Sequence, residues 1–460
     1  MDEVLERLAH FADGLTAAAV DAAAIHEVKR RLVDSFGCIV GGCGSEPARI
    51  ARRLAGQSRG ALAATAVGLS AKTTVELAAF ANTVMVRYLD YNDMYFTPRG
   101  GGQHPSDLIP AVLAVGEALG ARGVDVLVGI VAAYEIGAAL AGVARIRERG
   151  WDQGTFTVVA AAMGAGKLLG LSREQLAHAA SVAVTSNIAT RQTRVGHLSM
   201  WKGSATAAAN RNGIFAALLA REGMTGPDAP FVGKDGIMDL ITGRFTLELP
   251  LPHPRPFAAE ASSLKFYPSE YNSQSALDVV LALRPRVPLD EIEDVCVETY
   301  WLAYSEIGME PAKWDPRTRE TADHSLPYLL AAALLDGGIT PRSFTDARIA
   351  DPVLRRLMQR ISVIERKDFS ERFPDELNAR IVIRLRSGAT VEGQASHPHG
   401  HAKDPLTDDE VNEKCDALCA SSPDRGLCRE LKDALWAFER LDDVSPVIAA
   451  LGRLTAAGAG

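Results

Sequence analysis

Leu249-Pro250-Leu251-Pro252-His253-Pro254-Arg255-Pro256 places a proline at every second position, and no helix can run through it. Each proline lacks an amide donor and pushes the residue before it towards extended backbone. A domain boundary therefore falls near here, and the two sides of it read differently. Upstream, from residue 3 to about 245, apolar residues recur at three- and four-residue spacing, rich in alanine and leucine and broken at Gly or Pro. That period predicts helices, over 23–40, 74–88, 106–119, 126–143, 156–169, 173–185 and 204–221, with strand signals nearly absent. The density of Ala and Gly implies closely approaching helix axes.

Downstream the period changes to two. Residues 294–302 and 361–366 alternate as strands do, and 379–386 joins 390–395 across Ser387-Gly388 as a hairpin. Helices over 272–283, 326–335 and 352–358 lie between them, and 408–451 returns to helical spacing. The expected fold is mainly α: a large all-helical domain of residues 1–265 and 405–460, with an inserted α+β lid domain of residues 266–404.

Composition narrows the class further. At 460 residues the chain exceeds one core, and 47% hydrophobic with 23% charged residues is globular usage. A net charge of −8 offers no broad basic field, so neither nucleic acid nor a membrane is an expected partner. Any anionic ligand has to be met by local basic groups. Met1-Asp2-Glu3 lacks the basic start of a secretory signal. The most apolar stretch, Val126 to Ala144, carries Glu135 at its centre and glycines at 129, 137 and 142, which suit helix packing better than a bilayer span. A cytoplasmic location is expected. Cys38, Cys43, Cys296, Cys415, Cys419 and Cys428 contain no C-x-x-C pair. They read as reduced structural thiols beside a metal-free site, the alternative being iron–sulfur ligation by the last three.

Four clusters carry chemistry. Leu89-Asp90-Tyr91-Asn92-Asp93 ends a helix, and after a glycine-rich loop His104 arrives just before Ser106, a predicted N-cap. His104 suits a general acid or base or a carboxylate ligand, the plainer reading being a capping or solvated histidine. Arg191, Arg194 and His197 precede Trp201-Lys202-Gly203 and an alanine-rich helix. Such a set fits a di- or tricarboxylate, and a lysine shut in by an indole has its ammonium disfavoured; the alternative is a solvated basic loop. Lys265, beside Phe266 and Tyr267, is either a lysine of depressed pKa at the domain cleft or one that snorkels over the rings. In Asp323-His324-Ser325-Leu326-Pro327-Tyr328, Asp323 can orient His324 and Tyr328 can donate to a developing charge, unless Asp323 and Ser325 only cap the helix. His397-Pro398-His399-Gly400-His401 has the look of a metal tract but lacks a carboxylate or cysteine at matching spacing, and reads as a turn.

LDYNDMY with HPSD, LSMWKG, LKFYPSEYNSQSA and ETADHSLPYLLAAALLDGGIT, in this order along nearly the whole chain, resemble the MmgE/PrpD family of 2-methylcitrate dehydratases, with cis-aconitate decarboxylase and iminodisuccinate epimerase as relatives. The resemblance implies a helical domain plus an α+β lid, a homodimer, no metal or organic cofactor, and a site in the interdomain cleft. It places the family's site residues on Asp90, His104, Lys202, Lys265 and Tyr328; Arg191, Arg194 and His324 are read from the residues themselves as substrate-binding groups. Two departures stand out: Gln153 follows Gly150-Trp151-Asp152, and Asn272 follows Glu270-Tyr271, where many members carry histidine. Both amides can hold a substrate but cannot shuttle protons at neutral pH. The expected activity is cofactor-independent dehydration of citrate, 2-methylcitrate or a similar polycarboxylate. A cis-aconitate-type decarboxylase or an epimerase would use the same parts, and a non-catalytic carboxylate-binding homologue is the rival of another class.

Overall fold

A computed structural model of the chain describes residues 1–97, 101–249 and 256–454. The chain is mainly helical, and its buried apolar side chains form two principal groups. The larger draws on residues from Val4 to Leu264 and again from Leu406 to Leu454; the smaller runs from Tyr267 to Val391. The proline segment read as the boundary lies almost wholly outside the described residues.

In the larger group the Gly123–Val143 helix is long and apolar enough to cross a bilayer, yet 89% of its apolar window is buried inside the protein. Glu135 in its middle accepts the Ala258 amide at the start of the Ala258–Ala261 helix, so its charge meets a helix N-terminus. The Trp201–Arg221 helix packs on Gly154–Leu168 at Gly213, where a Cβ would stand 2.5 Å from Val158 O. This is the close approach that the small residues imply. The Asp408–Cys419 helix returns onto Ala22–Gly42, where Lys414 Nζ reaches Asp34 at 2.6 Å and the carbonyls of Tyr91 and Lys265 at 2.6 and 2.8 Å. The returning helix thereby clasps two of the sequence clusters from behind.

The smaller group is built on a four-stranded sheet in the order Ile361–Glu365, Ile292–Thr299, Ala379–Leu385, Thr390–Ala395. The first pair is parallel and the other two are antiparallel. The Ile292 strand stops at Thr299, three residues short of the expected end, because the chain coils at once into the Trp301–Ala303 and Tyr304–Gly308 turns. Gly388 sits in the hairpin at φ +85°, a conformation that only glycine adopts freely.

One element has no periodic signature. Asp93–Phe96 pairs antiparallel with both Gly102–Gln103 and Ser263–Leu264, matching Asp93 to Leu264 and Met94 to Ser263. These ladders of two pairs each lay the first sequence cluster against the third and bring Lys265 to Asp90.

Candidate active site

The Val75–Tyr88 helix ends just before Asp90, which takes φ +50°, the only left-handed non-glycine among the described residues. Aspartate tolerates this region better than bulkier residues, and strain of that kind persists where surrounding contacts over-determine it. Those contacts are ionic. The Asp90 carboxylate meets the Arg87 guanidinium, Lys202 Nζ at 3.1 Å and the Lys265 ammonium, whose Nζ also donates to Asp90 O at 3.0 Å. Lys202 Nζ also lies 2.9 Å from Asp323 Oδ1, and His324 Nδ1 lies 2.7 Å from the same oxygen. Asp90 and Lys202 are each 1% exposed. Charges cannot be held so far from water singly; alternating signs and mutual hydrogen bonds make the cluster tenable.

Burial alone would raise the Asp90 carboxyl, but the positive charges of Arg87, Lys202 and Lys265 hold it well below the usual carboxylate range. Burial pulls the Lys265 ammonium down from its ordinary value, against the opposing effect of Asp90. Asp90 thus stays ionised and anchors the cations, which removes it as a base, while Lys265 becomes a better proton donor than a solvated lysine.

Two imidazoles complete the floor. His104 Nδ1 lies 2.6 Å from Asp93 O, and a carbonyl can only accept, so the proton sits on Nδ1 and Nε2 keeps its lone pair. Burial, then Arg87 and Lys265, push His104 well below its ordinary pKa. His324 is fixed in the same tautomer by Asp323, and burial with Lys202 lowers it to about 3. Both are neutral bases at physiological pH. Asp90, Asp323 and His324 bring ligand atoms within 4.8 Å of one another, a grouping suited to a cation among the described residues. Lys202 Nζ, 2.9–3.4 Å from an atom of each, stands where such a cation would.

Above this floor opens a cleft of about 520 Å³ between the helical body and the α+β unit, lined by Asp90, His104, Lys265 and His324 and walled by Arg191 and Arg194. Its lining balances six lysine and arginine side chains against six aspartates and glutamates. The wall arginines therefore already have partners, which the sequence did not signal. Arg194 Nε bonds Asp152 Oδ2 at 2.5 Å. Arg191 and Arg147 both grip Glu306, on the Tyr304–Gly308 turn of the α+β unit.

The remaining expected residues divide. Gln153 lines the cleft, and its buried Nε2 has no hydrogen-bond partner. Asn272 also lines it, but its amide is engaged: Oδ1 accepts Tyr300 Oη at 2.6 Å and Nδ2 donates to Glu270 at 2.7 Å. Lys202 lies beneath the cleft, in contact with both floor carboxylates, rather than facing it. The expected indole cover is absent, since Trp201 is 51% exposed and His197 is exposed too.

Tyr328 corrects the sequence reading. Its hydroxyl donates to Ser343 O, its ring packs near Phe344 in the α+β core, and it takes no part in the cleft lining. Ser325 caps the Leu326–Asp336 helix through the Tyr328 amide, which turns that residue inward. Ser106, unlike Ser325, is not a helix cap: its hydroxyl and amide serve the buried Asp93 at 2.6 and 3.0 Å. The histidine tract is a turn, with His399 bonded to Asp404 and Glu410. Arg87, Arg147 and Glu306 escaped the sequence analysis. Only Arg87 left a trace, as a lone arginine in an apolar helix three residues before Asp90.

A helical body, a smaller α+β unit and an ionised floor with two neutral imidazoles in the cleft between them define the class: a site whose own side chains equip it for acid–base chemistry. The MmgE/PrpD N-terminal domain model matches residues 6–250 and the MmgE/PrpD C-terminal domain model residues 267–439. The chain belongs to the MmgE/PrpD family. It is 28% identical over 347 residues to the mitochondrial 2-methylcitrate dehydratase of Yarrowia lipolytica, covering 70% of this chain and 66% of that protein. It is 26% identical over 353 residues to the 2-methylcitrate dehydratase of Cupriavidus necator, covering 71% of each. An alignment at 24% identity with the cis-aconitate decarboxylase of Homo sapiens covers 97% of this chain and 94% of that one.

Proposed function

We propose that this protein is a lyase that removes water from a hydroxy-polycarboxylate of the citrate or 2-methylcitrate type. The observation that carries the reading is the pair of neutral imidazoles, His104 and His324, each with its proton fixed on Nδ1, beside an acidified Lys265 in an arginine-walled cleft. The names of the relatives supply the substrate class.

In this reading His104 Nε2 takes the proton from the carbon next to a substrate carboxylate. The electron pair passes into that carboxylate and then forms the double bond as the hydroxyl leaves on the neighbouring carbon. Lys265 gives the hydroxyl its proton, so water departs, and the proton on His104 restores Lys265 through solvent. Arg87 and Lys202 hold the floor positive while negative charge builds, as fixed dipoles and charges do best in a dry site. Gln153, with amide hydrogens to spare, binds a substrate oxygen. The α+β unit acts as a lid that closes on binding, and the homodimer and cytoplasmic location expected from the sequence complete the proposal.

Proton NMR of the pure protein with a panel of hydroxy- and unsaturated tricarboxylates tests it. Olefinic signals growing at the expense of a hydroxy acid support dehydration. Carbon dioxide release from an unsaturated acid would instead make the protein a decarboxylase, and tight binding of one acid with no turnover of any would make it a binding protein.

A further inference from the structure

The wall of the cleft contains a carboxylate site that is filled from within. Glu306 is gripped by two arginines of the helical body, Arg147 on the Ile146–Arg149 turn and Arg191 on the Arg191–Arg194 turn, and Arg191 Nη2 contacts both of its oxygens. Two guanidinium groups converging on one carboxylate is how proteins recognise a carboxylate ligand.

What surrounds Glu306 is fixed. Its turn is seated on the sheet at Gly308, where a Cβ would lie 2.8 Å from Val363 Cγ1, and Trp314 Nε1 donates to Gly308 O at 2.8 Å. The arginine loop is docked independently: Leu198 N donates to Thr321 Oγ1 at 3.0 Å, Thr318 Oγ1 donates to Leu198 O at 3.0 Å, and Gly196 N donates to Glu310 at 3.2 Å. Rotation of the Glu306 side chain thus frees the arginine pair without moving either backbone. Arg147 and Glu306 are 32% and 17% exposed, against 1% for the floor charges, so water can take over the displaced carboxylate.

We infer that Arg147 and Arg191 are a specificity-determining subsite for an outer carboxylate of the substrate, and that Glu306 is its built-in competitor, which yields only to ligands that bring such a group. The inference rests on the polycarboxylate reading above: the arginine pair favours tricarboxylates over dicarboxylates, and Glu306 tempers that preference. A dicarboxylate spends both groups at the reacting centre and cannot repay the displacement, and a ligand shifts such an equilibrium only by its differential affinity for the two arrangements.

Calorimetric titration of wild type, E306Q and R147Q with citrate and with malate tests this. In E306Q the arginine pair stands open, and citrate should bind roughly ten- to a hundredfold tighter, the worth of one or two charged hydrogen bonds, with a far smaller gain for malate. R147Q should weaken citrate and leave malate nearly unchanged. E306D, whose shorter side chain cannot span both arginines, should fall between wild type and E306Q and serves in its place if E306Q does not fold. Citrate binding that is unchanged or weaker in the Glu306 variant, with wild type binding citrate, overturns the exchange and leaves the proposed function standing. If wild type and variants alike bind neither acid, the polycarboxylate reading fails and takes this inference with it.

Discussion

The floor of the cleft and its wall both pair basic groups with carboxylates, but the floor does so out of water and the wall at its edge. On the floor, Asp90 is shared among Arg87, Lys202 and Lys265 at 1% exposure, and no partner can leave without stranding a buried charge. On the wall, Arg147, Arg191 and Glu306 keep contact with solvent. The same ion-pair chemistry therefore yields a preorganised base plate in one place and an exchangeable binding surface in the other, because desolvation sets how much a broken pair costs.

The most forceful way to break the comparison is Asp90→Ala, which strips Lys265 of its buried ion pair and leaves Arg87 and Lys202 with one carboxylate each, Asp107 and Asp323. A loss of about 3–5 kcal/mol in unfolding free energy is expected, the scale of a buried pair with one partner removed, together with loss of turnover. Denaturant melts would show it, and a change under about 1 kcal/mol would mean that the floor is wetter than described. His104→Gln keeps a donor for Asp93 O but removes the basic ring nitrogen; turnover should fall by about 10²–10⁴ with the circular dichroism and melting curve unaltered.

Acid sharpens the contrast. An unfolded histidine takes its proton below about pH 6.5, whereas folded His324 stays neutral down to about 3. Between those values the unfolded chain binds more protons, so stability falls as pH falls, by up to about 1.4 kcal/mol per pH unit for each such histidine. His104, also held well below its ordinary value, adds to the slope. Melting temperatures followed from pH 7 to pH 4 should decline steadily, and His324→Gln should flatten the decline; a flat wild-type profile would contradict the buried neutral imidazoles.

On the wall, Arg194→Lys exchanges a planar fork for a point charge beside Asp152. KM should rise by about tenfold with kcat changed less, since the group binds rather than reacts. The smallest effect belongs to Tyr328→Phe: about 1 kcal/mol of stability from the lost bond to Ser343 O and no change in kcat. A large fall in kcat would put Tyr328 back in the site.

Much of this was legible beforehand. The alternating period marked the strands Ile361–Glu365, Ala379–Leu385 and Thr390–Ala395, and the clusters around Asp90, His104, Lys265 and His324 all reach the cleft. Glu306 was not legible, because a single glutamate on a short turn, between Ser305 and Ile307, has no distinguishing spacing. Tyr328 misled for a related reason: adjacency to His324 in sequence does not fix which way a side chain faces once a helix has begun.

What the chain's order of residues determined alone is local: where helices and strands form, where prolines forbid them, and which short stretches are rich in ionisable groups. Periodicity is a property of neighbours, and it survives without a fold. The tertiary structure decided which charges meet. Asp90 finds Lys202 at a separation of 112 positions and Lys265 at 175, through a pair of two-residue ladders and a returning helix. Only there does low dielectric turn ordinary aspartate, lysine and histidine into an ionised anchor, an acid and two bases.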